Sequence, residues 1–390
     1  MIIGIDASNI SIGGGVTHLT ELLRAANPLE HEFTRIVVWS GRSTLSQIED
    51  RSWLIKAYVA DLDRGLVQRA LWQRFSLSRL ARASGCDVLF VPGGAYAGNF
   101  HPVVTMSRNL LPFEWRELRR FGWSWLTLKM VLLRWAQSRS YRRADGVIFL
   151  NSYAKATVSK AIGAVTCKLK IIPHGIHARF RNLPRAQLDL YQYSMERPFQ
   201  ILYVSTVDVH KHQWHVAEAI AKLRRSGVPV TLRLVGPAYP PALRKLKATL
   251  AKVDAAGEFI TYDGAVPHAE LNVLYTKADI FLFASSCENM PNILLEGMAA
   301  GLPIACSNRG PMPEILGDFG VYFDPENAQE IAKSIRLLIE SPELRAEKAK
   351  AAYTLAQQYS WKRCANETFA FLATTTSSMC QPTAEHTVGR

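Results

Sequence analysis

Several short segments of this chain are apolar without alternation: IIGID (2–6), TRIVVWS (34–40), DVLFVPGG (87–94), PVVTMS (102–107), ADGVIFLNS (144–152) and LKIIPHG (169–175). A strand with one wet face alternates apolar and polar residues, whereas one without alternation is covered on both faces. Stretches with apolar residues at helical spacing lie between several of these runs, such as VTHLTELLRAA after the turn Gly13–Gly15. Strands covered on both faces, with helices between them, make a parallel sheet sandwiched by helices.

The rhythm breaks at 181–198, RNLPRAQLDLYQYSMERP, which is polar and lacks a period. It then restarts: FQILYVST, VTLRLVG, FITYDG, DIFLFAS and LPIACS read as strands, and QWHVAEAIAKLRRSG, PALRKLKATLAKV, HAELNVLYTKA, NILLEGMAAG and EIAKSIRLLIE as helices. At 390 residues the chain is too long for one ordinary core. The sequence predicts an α/β protein of two doubly wound parallel-sheet domains, 1–180 and 199–376. A linker at 181–198 joins them, and a disordered tail is expected at 377–390.

With 48% hydrophobic and 20% charged residues the chain is globular. Six scattered cysteines, without a CxxC pair or zinc spacing, predict reduced thiols and a cytoplasmic protein. MIIGIDASNI lacks the basic start and sustained apolar run of a signal peptide. The formal charge of +13 is uneven: residues 1–180 hold 24 Lys and Arg against 12 Asp and Glu, and the remainder holds 22 against 21. A basic half suits an anionic partner, membrane or nucleic acid.

The stretch CENMPNILLEGMAAGLPIACSNRG (287–310) places Glu288 among small residues and Glu296 inside an apolar helix. A glutamate on a packing face should be paired or bound to something. DIFLFASS delivers the chain to the carboxyl edge of a sheet, where ligands of open α/β folds bind. The following helix is expected from Pro291 to Gly301, its first amides suited to a phosphate. Two carboxylates beside such a site repel the phosphate but accept hydrogen bonds from sugar hydroxyls. The alternative reading is a surface helix with incidental glutamates.

CENMPNILLEGMAAGLPIACSNRGPMPEIL resembles the Glu-x7-Glu donor site of the retaining GT-B glycosyltransferases of family 4, the glycosyltransferase group 1 type, in their bacterial surface-glycan branch. The likeness extends over most of 200–370, and GIDAS…GGGVTHL, DVLFVPGG, ADGVIFLNSYAKA and IIPHGI carry it in the first half. It implies two Rossmann-like domains facing a cleft, with a nucleotide-diphosphate sugar held mainly by the second. By motif position, Glu288 would contact the donor sugar and Glu296 the ribose. The backbone of Asn289, Met290, Pro291 and Asn292 would approach sugar and diphosphate. Lys211, in YVSTVDVHKHQ, stands where the family keeps a phosphate-binding lysine. Thr206 occupies the position of an arginine that many relatives carry, so cationic help there falls to Lys211 and other groups. The Gly13, Gly14 and Gly15 loop would lie over diphosphate or acceptor, and the backbone near Val266 would read the base.

Many relatives place a histidine after the strand matching PVVTMS, where this chain has Ser107, Arg108 and Asn109. Arg108 and Asn109 are candidates for donor or acceptor contact, a turn cap being the other reading of Asn109. His101 precedes the strand and is set aside. Asp61-Leu62-Asp63 matches a DxD metal motif formally but reads as a solvated helix start. No metal or other cofactor is required on this reading.

Residues 108–143 contain eight arginines, one lysine and four tryptophans. Tryptophan with basic residues marks membrane interfaces, and no run here reaches the roughly 20 apolar residues needed to span one. A core helix fringed by arginine is the competing reading. The sequence therefore predicts a hexosyltransferase of mannose or glucose type, acting on a growing lipid-linked surface polysaccharide. It would be peripheral at the inner membrane face through 108–143, with no nucleic acid partner. The alternatives are a nucleotide-sugar epimerase on the same scaffold and a non-catalytic membrane adaptor. A nicotinamide dehydrogenase is disfavoured because Gly13–Gly15 do not make GxGxxG.

Overall fold

The computed structural model describes residues 1–11, 13–163 and 165–377. They form two compact units. The first comprises 1–113, 128–175 and the segment from Trp361 onward, and the second 114–127 and 176–360.

The first unit is built on seven parallel strands: β1 (Ile2–Asp6), β2 (Arg35–Ser40), β3 (Leu54–Tyr58), β4 (Val88–Val91), β5 (Val103–Met106), β6 (Gly146–Phe149) and β7 (Lys168–Ile171). Their order is β3-β2-β1-β4-β5-β6-β7. β4, β5 and β6 are buried at every position, as unalternating runs require. The helices begin with α1 (Gly14–Arg24), α2 (Arg42–Leu45), α3 (Leu66–Trp72) and α4 (Ser78–Ala83), α3 and α4 being joined by a π turn at Gln73–Leu77. A short α5 (Trp115–Leu118) belongs to the other unit, as do the first three residues of α6 (Trp125–Arg143), whose remainder and α7 (Ser152–Ile162) follow in this one.

The second unit has six parallel strands: β8 (Phe199–Val204), β9 (Val230–Val235), β10 (Ile260–Tyr262), β11 (Ile280–Phe283), β12 (Ile304–Ser307) and β13 (Val321–Phe323). Their order is β10-β9-β8-β11-β12-β13. Its helices after α5 are α8 (Gln213–Arg225), α9 (Pro240–Val253), α10 (Leu271–Lys277), α11 (Asn292–Ala299), α12 (Met312–Leu316), α13 (Ala328–Glu340) and α14 (Pro342–Ala356). The last helix, α15 (Trp361–Ser377), returns to the first unit.

These boundaries differ from the expected ones in three ways. Residues 114–127 pack in the second unit because Glu117, Arg120 and Phe121 find partners there: Ser286, Glu326, and the rings of His210 and Tyr239. α15 packs in the first because Phe369 lies edge-on to Phe33, and Phe371 closes on Gly146, where a Cβ would sit 2.9 Å from its ring. The stretch 181–198 is a strap fastened to the second unit. Arg185 bonds Asp279, and Tyr193 stacks on Phe199 with ring centroids 3.5 Å apart. Arg345, fully buried, donates to the carbonyls of Leu338, Ile339 and Leu188 and to Gln187 Oε1. Apart from Ser377, the tail expected at 377–390 lies outside the described residues.

Both sheets reverse direction of growth beside their first strand: β1 pairs with β2 and β4, and β8 with β9 and β11. Loops leaving these strands diverge at the carboxyl edge and leave a crevice between them.

Candidate functional site: the carboxyl edge of the second sheet

The loops after β8 (205–212) and β11 (284–291) flank this switch point, and they carry Lys211 and Glu288. Tyr203, on the last turn of β8, donates its hydroxyl to the Lys211 carbonyl at 2.8 Å, and the Lys211 amide bonds the Asp208 carbonyl at 3.0 Å. His212 then adopts a left-handed conformation, φ 53°, as the N-cap of α8. So held, the Lys211 ammonium donates to Glu288 Oε1, with both side chains mostly buried. An ammonium and a carboxylate thus meet, largely desolvated, at the point where a doubly wound fold receives its ligand. The lysine can accept a phosphate's charge, and the glutamate can accept hydroxyl protons in hydrogen bonds.

α11 begins at Asn292, one residue later than the sequence suggests, with Pro291 as its N-cap. The Leu294 and Leu295 amides bond the Pro291 carbonyl at 3.0 and 3.2 Å, which leaves the amides of Asn292 and Ile293 without a partner within the helix. Gly297 lets the helix lie directly on β11, since a Cβ there would sit 2.5 Å from the Phe281 ring. Asn289, Met290 and Pro291 are buried between Glu288 and the helix. Thr206 is exposed, its carbonyl fixed by Gln213 Nε2 at 2.9 Å, and Val266 is half-buried in the loop after β10.

Glu296 is 5% exposed and already has protein partners. Tyr275 donates its hydroxyl to Oε2 at 3.1 Å, and His268 Nε2 lies 3.1 Å from Oε1. The Arg179 guanidinium meets His268 Nδ1. Arginine only donates, so Nδ1 is the acceptor and Nε2 is the donor directed at Glu296. Burial, and then the Glu296 charge, push the Tyr275 phenol well above its ordinary range. This arrangement answers the burial of Glu296, each of whose carboxylate oxygens has a protein partner. His268, Tyr275 and Arg179 carried no motif and were not read from the sequence.

A second missed group surrounds Ser286. Its hydroxyl donates to Glu117 Oε2 at 2.5 Å and lies 2.9 Å from His212 Nε2. A hydroxyl has one proton, so it accepts from His212 Nε2–H. Burial, and then Arg120, hold His212 near 3, a neutral ring. Arg120 bonds both Glu117 and Glu326, and Arg116 also bonds Glu326. The basic stretch expected to face a membrane is thus partly committed elsewhere: Arg116 and Arg120 are ion-paired within the second unit. One residue from Lys211 and two from Glu288, this network fixes both loops.

In the first unit, Gly13 is the N-cap of α1 with φ 64°, and Gly14 and Gly15 form its first turn rather than a separate loop. A Cβ on Gly15 would sit 3.0 Å from the Arg108 guanidinium, which burial lowers to about 10. His18 and His174 lie beside it, ring centroids 4.7 Å apart, with Trp361 against both. Burial is the main cause holding both rings neutral, His174 at about 3. Arg108 therefore adjoins the glycine turn. Asn109 accepts from the Leu111 amide at 3.1 Å, the turn-capping role. His101 pairs with Asp145 at 2.7 Å, before β5. Asp61 and Asp63 lie in a 3-10 turn, not a helix start, and Asp63 accepts from the Arg42 amide. Among the described residues no three His, Cys, Asp or Glu side chains gather as a metal site.

Residues 192–355 match the family model described as "Glycosyl transferases group 1", and residues 12–180 match "Glycosyltransferase Family 4". The chain is 33% identical over 110 residues to O-antigen chain mannosyltransferase B of Escherichia coli, covering 28% of this chain and 29% of that protein. It is 28% identical over 265 residues to a GDP-mannose-dependent alpha-(1-6)-phosphatidylinositol monomannoside mannosyltransferase of Mycobacterium tuberculosis, covering 64% and 66%. The matches thus span less than two thirds of the length of these relatives. Sucrose-phosphate synthase of Thermosynechococcus elongatus shares the fold, with a TM-score of 0.75 at 17% identity over 97% of this chain and all of that one. With two parallel-sheet Rossmann-like domains and a glycosyltransferase family model on each half, the chain belongs to the GT-B glycosyltransferases.

Proposed function

We propose that this protein is a retaining hexosyltransferase. It moves a mannose- or glucose-type residue from a nucleotide-diphosphate sugar to a growing lipid-linked surface polysaccharide, at the inner face of a membrane and without a required metal. The observation that carries the reading is the Lys211–Glu288 pair at the switch point of β8 and β11, backed by the amino end of α11. The mannosyltransferase relatives support the hexose and, by the O-antigen and phosphatidylinositol of their names, the lipid-linked acceptor.

In this reading the sugar C1–O bond breaks and the nucleoside diphosphate leaves with the electron pair. Lys211 and the α11 amides stabilise the charge that develops on the leaving phosphate. Glu288 holds the sugar hydroxyls, and Glu296 the ribose. The acceptor hydroxyl bonds to C1 on the departing side, and its proton passes to the leaving phosphate oxygen.

A panel of nucleotide-diphosphate sugars, assayed for donor hydrolysis and transfer, tests this. One donor should be turned over, and Glu288→Ala should reduce transfer by about 100-fold or more while the protein stays folded. Near-normal turnover by a folded Glu288→Ala protein would falsify the placement of Glu288. Isomerised donor without acceptor would assign the scaffold to an epimerase.

A further inference from the structure

We infer that α6 and the α3–α4 arm together form a surface that docks on an anionic lipid bilayer. The inference rests on the lipid-linked acceptor proposed above; it narrows the contact within 108–143 to α6 and adds the α3–α4 arm, which the sequence did not single out.

α6 buries Met130, Gln137, Ser140 and Tyr141. On its opposite side Leu128, Leu132 and Trp135, spaced four and three residues apart, share one face and are 49%, 57% and 69% exposed. The helix thus packs one mixed face and leaves an apolar face opposite it unpacked. Its wheel lacks a clean polar side for that reason. The same outer side continues into Arg139 and Arg142.

α3 repeats the arrangement. Trp72 and Leu77 are buried, while Leu66, Val67, Leu71 and Phe75 stand 52% to 70% exposed. The two arms lie in one layer, because Trp72, Leu77 and Ala81 share a core cluster with Tyr141 and Ala144. They also grip the same loop: Gln73 bonds the Ala95 carbonyl and Ala97 amide, and Ser140 the Tyr96 amide and carbonyl. Unpacked apolar faces of this size mark an interaction surface.

Charge selects the occupant. Residues 64–83 contain five arginines and no acid, and 123–143 contain four arginines, one lysine and no acid. Protruding Trp, Leu and Phe among basic side chains match the interfacial zone of an anionic membrane, whose lipids supply the negative charge. No helix among the described residues is long and apolar enough to cross a membrane, so the contact is peripheral.

The test is co-sedimentation of the full-length protein with phosphatidylglycerol-containing and pure phosphatidylcholine vesicles at low and high salt. Wild type should bind the anionic vesicles and be weakened by salt. Leu132→Ser/Trp135→Ser and, separately, Leu71→Ser/Phe75→Ser should each lower binding by about tenfold or more. Both should keep wild-type donor hydrolysis. Release by the α6 variant alone would overturn the two-arm surface. Salt-insensitive binding to both vesicle types would overturn the anionic specificity. Absent vesicle binding, with self-association that the same variants abolish, would make the occupant a second copy of the chain. Donor hydrolysis without vesicle binding sinks only this inference; vesicle binding without turnover of any donor sinks only the proposed function.

Discussion

Lys211 and Glu288 neutralise each other, and this sets what each does alone. On the proposed function, the carboxylate of Glu288 without Lys211 would remain near the diphosphate and repel it. Lys211→Ala should therefore weaken binding of the nucleoside diphosphate by about tenfold or more, and of the nucleoside far less, because charge on the phosphate is what the ammonium serves. Adding Glu288→Gln should restore part of the diphosphate affinity. Calorimetry with both ligands reads this, and an equal loss for the two would assign Lys211 a structural role. Each of the two residues was named from the sequence, by motif position and strand end, but their pairing was not. The partners of Glu296 were not: Tyr275 and His268 come from α10 and the turn before it, and no local pattern announces a hydrogen bond across 28 residues.

At the scale of elements, the α5 segment shows how far local reading goes. Its arginines look like a free basic face, yet Arg120 joins Glu117 to Glu326, and only long-range packing reveals it. Arg120's hydrogen bond chiefly lowers the Glu326 carboxyl from 4.5 to about 2. A depressed carboxylate stabilises the fold fully above its unfolded value, and that contribution fades as pH falls toward the folded value. Denaturant unfolding of wild type should therefore lose stability between about pH 4.5 and 2 more steeply than Glu326→Gln does, with the two curves converging at the acid end. Parallel curves over that interval would mean the ion pair adds nothing. Other elements escaped the sequence for simpler reasons. β3 (LIKAY) is a half-exposed edge strand interrupted by Lys56, and β13 has three residues, too few for a pattern.

For the whole molecule, the inner strands of both sheets were legible, because strands buried on two faces announce themselves residue by residue. Ownership of segments was not. α15 follows the second unit in sequence but completes the first, where Phe369 is 1% exposed beside Phe33. Phe369→Ala should cost about 3–5 kcal/mol. In hydrogen exchange the loss should appear in β1, β2 and α1, leaving α13 and α14 protected. Deprotection of α13 and α14 instead would return α15 to the second unit.

Four times the chain passes from one unit to the other: after Phe113, Thr127, Gly175 and Ser360. During synthesis this inverts the order of completion. The second unit has all its residues once Ser360 has left the ribosome, while the first, begun at Met1, still lacks the helix that covers Phe33 and Gly146. A domain that normally folds as it emerges must here wait for α15 with apolar surface uncovered. The nascent chain thus keeps Phe33 and Gly146 uncovered until α15 is released, and a stop codon anywhere before α15 spoils the half that was translated first.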